Sequence, residues 1–148
     1  MHTPTASWNV RAALAIVMTV MFTGCGSGPI TPARIEGAIA PTFANLVHLQ
    51  VTSLGLPPMT PADFDVTASC RKLMAGNDAG SGEWVCTVAW KGPDRRTLRD
   101  TYDLFVTTDG CYTANVEGES LGGPTLKTSD GGDVRNLLYT FEGCFDTT

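Results

Sequence analysis

Cysteine is the residue type whose positions in this sequence predict covalent chemistry. The chain has five cysteines in 148 residues, and the first, Cys25, closely follows an uncharged apolar run at residues 12–22. This run of eleven residues fits the apolar core of a secretory signal and is too short to span a bilayer, which takes about 20 residues. Arg11 precedes the run, and a positive charge there favours a cytoplasmic N-terminus. The pattern therefore predicts an export signal that ends beside a thiol.

The residues that lead up to this thiol resemble the lipobox of bacterial lipoproteins. Phe22-Thr23-Gly24-Cys25 is an apolar residue, two small residues and a cysteine, with phenylalanine where leucine is usual. An ordinary secretory signal, the alternative, has small residues at −1 and −3, whereas Phe22 occupies −3 here. The resemblance implies cleavage of residues 1–24 and lipidation of Cys25. It also implies a mature protein held by its acyl chains on the extracytoplasmic face of a bacterial cell membrane.

The general layout also resembles small actinobacterial lipoproteins of unknown function. Four cysteines remain after residue 25, and in an exported domain they predict two disulfides with three possible connectivities. Zinc is the alternative, but no C-x-x-C pair occurs and His48 is the single histidine beyond residue 24. We therefore expect disulfides and neither a metal nor another cofactor. The four cysteines are Cys70, Cys86, Cys111 and Cys144.

Acid–base and nucleophilic catalysis have few candidate residues beyond the signal. His48 falls on a predicted helix and has no recognisable nucleophile with it in the sequence. Three pairs of carboxylates are close enough in sequence for work on sugars, although solvent-facing acids of a half-buried sheet are the simpler interpretation. We therefore expect no catalytic residue, with a carboxylate-based hydrolase as an alternative. The pairs are Asp63 and Asp65, Asp100 and Asp103, and Glu117 and Glu119.

The elements that position these residues are predicted to form one α+β domain over residues 32–148, after a short tether at 25–31. Thr31 is a favourable N-cap and Pro32 a favourable first helical residue, and apolar residues then recur at helical spacing. We predict a helix over about 32–54, with a kink at Pro41 because proline cannot donate a backbone hydrogen bond. Leu54-Gly55 is a typical helix end. The proline-rich residues 55–62 are predicted to be a linker.

A small antiparallel sheet of about four strands is predicted over residues 63–145. Residues 64–71 and 83–90 both alternate apolar and polar positions, and the turn-forming segment between them predicts a hairpin. Pairing Cys70 with Cys86 places the apolar faces of both strands on one side. A disulfide there would close a loop of about 15 residues and contribute about 3 kcal/mol to the free energy of unfolding.

A second hairpin is predicted around Asp109-Gly110. A three-residue loop with Gly110 in the left-handed conformation pairs Val106 with Tyr112, whereas a two-residue loop would turn the apolar residues of the later strand outward. The first register also turns Cys111 away from the core, where Cys144 can reach it. Residues 133–145 fit both a helix and a strand, and a short strand after a turn is the favoured interpretation.

The aromatic residues of the sheet have two interpretations. Trp84, Trp90, Tyr102 and Tyr112 share the predicted core face, but a helix covering only part of the sheet would leave them as an apolar binding patch.

The net charge and the small number of candidate catalytic residues indicate a class of function. Arg11 is the one charged residue before Cys25, so the mature chain has nine basic and fifteen acidic residues, net −6, which disfavours nucleic acid as a partner. We expect a membrane-anchored, non-catalytic domain that binds a protein or a component of the cell envelope. The alternative is a surface inhibitor or exclusion factor, acting on a hydrolase or a phage through loop 76–82 or 118–128.

Overall fold

The fold is one helix packed on one face of an antiparallel sheet. The computed structural model describes residues 29–74, 76, 78–118 and 120–147; the predicted signal, the predicted lipobox and Cys25 lie outside them. The five-stranded sheet has the order β1-β2-β3-β4-β7, and β5 and β6 pair separately. The predicted α+β class is confirmed, with five strands where about four were expected. The elements are helix α1 (Pro32–Ser53), a 3₁₀ helix (Pro61–Phe64) and strands β1 (Thr67–Lys72), β2 (Gly82–Lys91), β3 (Thr97–Val106), β4 (Cys111–Val116), β5 (Thr125–Lys127), β6 (Asp133–Arg135) and β7 (Thr140–Cys144).

Helix α1 begins and ends at the residues that the sequence predicts. Thr31 is extended and Pro32 opens the helix, although the threonine side chain makes no capping hydrogen bond. At the other end the N–H of Leu56 donates to the carbonyl oxygen of Val51, and Gly55 has φ of 68°. This is a Schellman motif, in which glycine tolerates the left-handed conformation. The helix continues through Pro41 without a break. None of the described helices is long and apolar enough to cross a membrane.

The segment between helix and sheet differs from its prediction. Phe64 was expected in the first strand, but it ends the 3₁₀ helix, and the strand begins at Thr67. A capping box explains the change, because Asp63 accepts hydrogen bonds from the backbone N–H and the hydroxyl of Thr60 at 2.8 and 2.7 Å. Asp65 then reverses the chain with φ of 46°. As a result the linker ends before Pro61, and Phe64 is buried in the core.

Both predicted disulfides are confirmed, and they lie on opposite faces of the sheet. In each, the two cysteines face each other directly on neighbouring antiparallel strands. Cys70–Cys86 lies on the buried face and is called the inner disulfide. Cys111–Cys144 lies on the solvent-facing side, where Cys144 is exposed, and is called the outer disulfide.

The β3–β4 hairpin has the predicted register, with Val106 opposite Tyr112. Gly110 has φ of 81°, and a Cβ there would lie 2.5 Å from the carbonyl oxygen of Phe145, so the turn requires glycine. The C-terminal segment is resolved in favour of the strand, because β7 pairs with β4. The segment differs from the prediction in two details. Residues 137–139 form a turn, and β6 pairs with β5 in a hairpin that was not predicted.

The core is aromatic and is closed by the helix. The ring of Phe43, from α1, lies 4.9 Å from Trp90 and 5.8 Å from Tyr102, measured between ring centroids. All four aromatic residues considered as a binding patch are buried and form part of the core. These residues are Trp84, Trp90, Tyr102 and Tyr112, each no more than 4% exposed.

Candidate functional site

The side of the sheet away from α1, here called the outer face, carries exposed and half-buried side chains on β2, β3 and β4. Strand alternation places on it every residue that lies between two core residues of β2, β3 and β4. Most are small or β-branched, as expected for a half-exposed sheet. The register aligns four of them in one row across four strands: Glu83, Phe105, Thr113 and Glu142.

Phe105 is the feature of the outer face that packing does not explain. Its side chain is 58% exposed, whereas the neighbouring core residues Leu104 and Val106 are buried. A groove of about 420 Å³ lies beside it, lined also by Thr113, Glu142 and the outer disulfide. This volume falls within the range of small-ligand pockets, roughly 300–1,000 Å³. The groove is open, however, and its floor is the flat surface of a sheet.

A second recess adjoins the first and shares Phe105 with it. It has a volume of about 280 Å³ and is also lined by Leu73, Asp103 and Asn115. Leu73 is 46% exposed, so two large apolar side chains are accessible along this stretch of the surface. The two recesses therefore meet at Phe105 and form one strip, in which apolar side chains alternate with polar ones.

Carboxylates flank this strip. Glu83 lies opposite Phe105 on the neighbouring strand, and Asp103 precedes it by two residues on the same face. The ion pairs of Arg96 with Asp94 and of Lys127 with Asp133 involve neither of these carboxylates. The strip is thus apolar in its centre and acidic around it.

The free edge of β7 borders the groove. The N–H of Phe145 donates to Gly110 and that of Val116 to Tyr139, so the antiparallel alternation turns the backbone groups of Thr140, Glu142 and Cys144 outward. No hydrogen bond from another described residue reaches these groups. The opposite edge is different, because Glu36 of α1 accepts a hydrogen bond from the N–H of Cys70 at 2.8 Å. One edge is therefore capped by the helix, and the other is open to a partner strand.

Of the carboxylate pairs considered for hydrolysis, Asp100 and Asp103 are held on opposite faces of the sheet. Asp100 is on the buried face, where the Ser120 hydroxyl donates to it at 2.5 Å, whereas Asp103 is on the outer face. Asp63 caps the 3₁₀ helix, and its hydrogen bonds from Thr60 lower the pKa of its carboxyl. Glu119 lies outside the described residues. Asp63 and Asp100 therefore make local structural contacts, with Thr60 and Ser120 respectively.

His48 and the buried polar residues hold segments of chain together. The His48 Nδ1 lies 2.6 Å from the carbonyl oxygen of Met59; because a carbonyl only accepts, this nitrogen carries the proton and donates it, and the bond ties the linker to α1. Asn136 donates to the carbonyl oxygens of Leu121 and Gly123 at 2.9 and 3.0 Å. Loop 118–128 is therefore held in place, and its later part forms β5.

Of the described residues, no group of three or more histidine, cysteine, aspartate or glutamate side chains could hold a metal ion.

Two buried tyrosines have perturbed ionisation. Burial raises the pKa of Tyr102 well above its usual value, and the nearby charge of Asp100 raises it further. Its hydroxyl donates to the carbonyl oxygen of Leu138 at 2.8 Å, which locks the turn before β7 against the core. Burial also raises the pKa of Tyr112, opposed by the hydroxyl of Thr42.

The sequence interpretation missed Phe105, although the signal was present. The same alternation that turns Leu104 and Val106 into the core turns Phe105 outward, and an exposed patch of contiguous apolar residues is a marker of binding. The outer disulfide beside it was predicted, but the groove between them depends on how β7 docks. Comparisons with protein-family models, with curated proteins and with solved structures found no match to this chain.

Proposed function

We propose that this protein is a lipid-anchored, non-catalytic binding domain on the extracytoplasmic face of a bacterial membrane, and that its outer face binds a protein. The observation that carries the proposal is the uncovered outer face, with Phe105 exposed beside an open groove and an unpaired strand edge. The lipobox at residues 22–25 supports the location.

The shape of the outer face favours a protein over a small molecule. Small ligands are held in concave sites that bury most of their surface, whereas this surface is open. Four strand spacings and about six residues along each strand give an area on the order of 400 Å². A standard protein interface takes about 800 Å² from each partner. The face supplies about half of that, and the β7 edge can extend it through backbone hydrogen bonds.

The anchor is tested by the substitution Cys25→Ser, with Ser27→Ala as a neighbouring control. We expect the Cys25→Ser chain to carry no acyl chains and to keep its signal uncleaved. The Ser27→Ala chain should be processed and retained like the wild type. Mass spectrometry of the mature N-terminus then identifies the modification. Unchanged processing and membrane association of Cys25→Ser would overturn the anchor.

The binding surface is tested by photo-crosslinking in intact cells. A photoreactive amino acid at Thr113, in the middle of the outer face, should give a discrete protein adduct. The same group at Ser129, on the exposed turn between β5 and β6, is the matched control. The adduct at Thr113 should weaken when Phe105 is replaced by alanine. Equal adducts at both positions, or none at Thr113, would contradict the proposed surface.

A further inference from the structure

The chain enters the folded domain earlier than the sequence pattern predicts. Ile30, assigned to the tether, is 6% exposed and belongs to the core. Its carbonyl oxygen accepts a hydrogen bond from the N–H of Gly80 at 2.8 Å. Five residue steps therefore separate Cys25 from a position fixed in the fold, and they span at most about 18 Å. An anchor at Cys25 would hold the Ile30 end of the domain close to the bilayer.

The loop that receives Ile30 is itself fixed to the sheet. Gly80 lies in the connection between β1 and β2, and its carbonyl oxygen accepts from Trp84 Nε1 at 3.2 Å. Lys72 Nζ donates to the carbonyl oxygen of Ala79 at 2.6 Å. Ile30 is thus tied to one particular end of the sheet, where β1 ends and β2 begins, and that end is called the anchor end.

The anchor end carries adjacent exposed apolar side chains. The N–H of Leu73 donates to the carbonyl oxygen of Glu83 at 3.1 Å, which extends the β1–β2 ladder by one residue. Leu73 is 46% exposed, and Met74 beyond it is 72% exposed. Their exposure has no explanation in the packing of the domain, because core residues of the same strands turn inward. Two large apolar residues at the start of the β1–β2 loop, here called the apolar tip, suit insertion between lipid headgroups.

The opposite end of the sheet gives a natural comparison. Leu98, near the start of β3, is 42% exposed, similar to Leu73. It pairs with Trp90 at the end of β2, whereas Glu83 lies at the beginning of that strand. A ten-residue strand is about 33 Å long, which exceeds the reach of the tether. The tether therefore holds the anchor end near the membrane and does not by itself bring the Leu98 end of the sheet to it.

We infer that the anchor end of the protein contacts the membrane, with Leu73 and Met74 inserted into the lipid interface beside the acyl chains of Cys25. This inference rests on the proposed lipid anchor. The occupant of the apolar tip is a lipid surface, because Ile30 is held at the same end of the sheet and lies only five residues from Cys25. In this arrangement Leu73 and the recess that it lines lie against the bilayer, and the groove between Phe105 and β7 stays open to a protein partner.

Charge at the anchor end indicates an apolar contact with the bilayer rather than an electrostatic one. Arg71 and Lys72 precede the tip, but Asp78 and Glu83 follow it, and the two signs offset each other. We therefore expect insertion into uncharged phosphatidylcholine vesicles, without a requirement for anionic lipid.

The test uses tryptophan fluorescence and lipids with brominated acyl chains, which quench a tryptophan that enters the interface. Mature protein of the variants Met74→Trp and Leu98→Trp is reconstituted into phosphatidylcholine vesicles with and without the brominated lipid. The wild type supplies the background of the two buried tryptophans, Trp84 and Trp90. We expect the added fluorescence of Met74→Trp to be blue-shifted and largely lost with brominated lipid. The added fluorescence of Leu98→Trp should be unchanged.

Equal quenching of both variants, or no quenching of Met74→Trp, would overturn the end-on placement. Leu73→Trp provides a second probe if Met74→Trp does not form its disulfides. Failure of the anchor is distinguishable, because mass spectrometry would then show no acyl chain on Cys25. In that case the same full-length variants, coupled at Cys25 to a maleimide phospholipid, test the placement alone, and absence of quenching at the tip still overturns it.

Discussion

Gly143 is the position where a single methyl group should test the packing of the β7 edge. It lies opposite Tyr112, whose ring crosses over it. A Cβ at this position would lie 2.6 Å from Tyr112 Cζ and 2.9 Å from Cε1, well inside van der Waals contact. The ring cannot swing aside, because Tyr112 is 2% exposed and packs edge-on against Phe141 at 6.4 Å between centroids. Gly143→Ala therefore forces either the ring or the strand to move.

The expected cost follows from two opposing effects. Overpacking a well-filled core costs about 1–3 kcal/mol, and replacing glycine in a strand returns about 0.5–1 kcal/mol of backbone entropy. Because the Cβ would lie 2.6 Å from Tyr112 Cζ, the overpacking cost should fall in the upper part of its range. The free energy of unfolding should then fall by about 1–2.5 kcal/mol, which for a domain of this size lowers Tm by about 4–10 °C. Urea denaturation under oxidising conditions, followed by far-UV circular dichroism, measures it.

A matched control and a second background make the test specific. At Gly123 a Cβ meets open space, so Gly123→Ala should change stability by no more than about 0.5 kcal/mol. In a Tyr112→Leu background the ring is absent, and Gly143→Ala should become neutral or stabilising because the two positions couple. The reasoning is refuted if Gly143→Ala costs the same in both backgrounds, or if it does not destabilise the wild type.

Three further predictions concern the disulfides, the helix and the buried tyrosines. Graded reductant followed by alkylation and mass spectrometry should label the cysteines of the outer disulfide before those of the inner one, because access controls thiol exchange; simultaneous labelling would contradict this order. In α1, Gly37→Ala should stabilise by about 1 kcal/mol, since its Cβ meets no neighbour, whereas Gly55→Ala should destabilise because φ is 68°; effects of the same sign in urea denaturation would contradict the helix end. Burial raises the pKa of Tyr102 in the folded protein, so its contribution to folding stability is fully present below the ordinary tyrosine pKa of 10.0 and is lost as pH rises above it, because only the unfolded chain ionises there. The urea midpoint of the Tyr102→Phe variant should therefore fall less steeply at alkaline pH than that of the wild type. An identical fall in both proteins would contradict the raised pKa.

The candidate site was only partly predictable from the sequence. Alternation along β3 determines that Phe105 points away from Leu104 and Val106, so its exposure could have been inferred. The groove beside Phe105 could not, because its far wall is Glu142 on β7. The sequence pattern of residues 133–145 fits two kinds of element, and docking against β4 decides between them. A similar limit applies to Ile30, whose partner Gly80 is 50 residues away.

Local chemistry in the sequence determined the helix ends, the β3–β4 register and both disulfides. Each depends on residues close in the chain or on a strand period of two, in which a slip by one residue would expose the core. Tertiary structure decided which surfaces are covered. Only the packed structure shows that Trp84 and Tyr112 are buried and that Leu73 and Met74 are left exposed at the anchor end. The reason is physical: burial depends on contacts between distant segments, and periodicity specifies a face without specifying what packs against it.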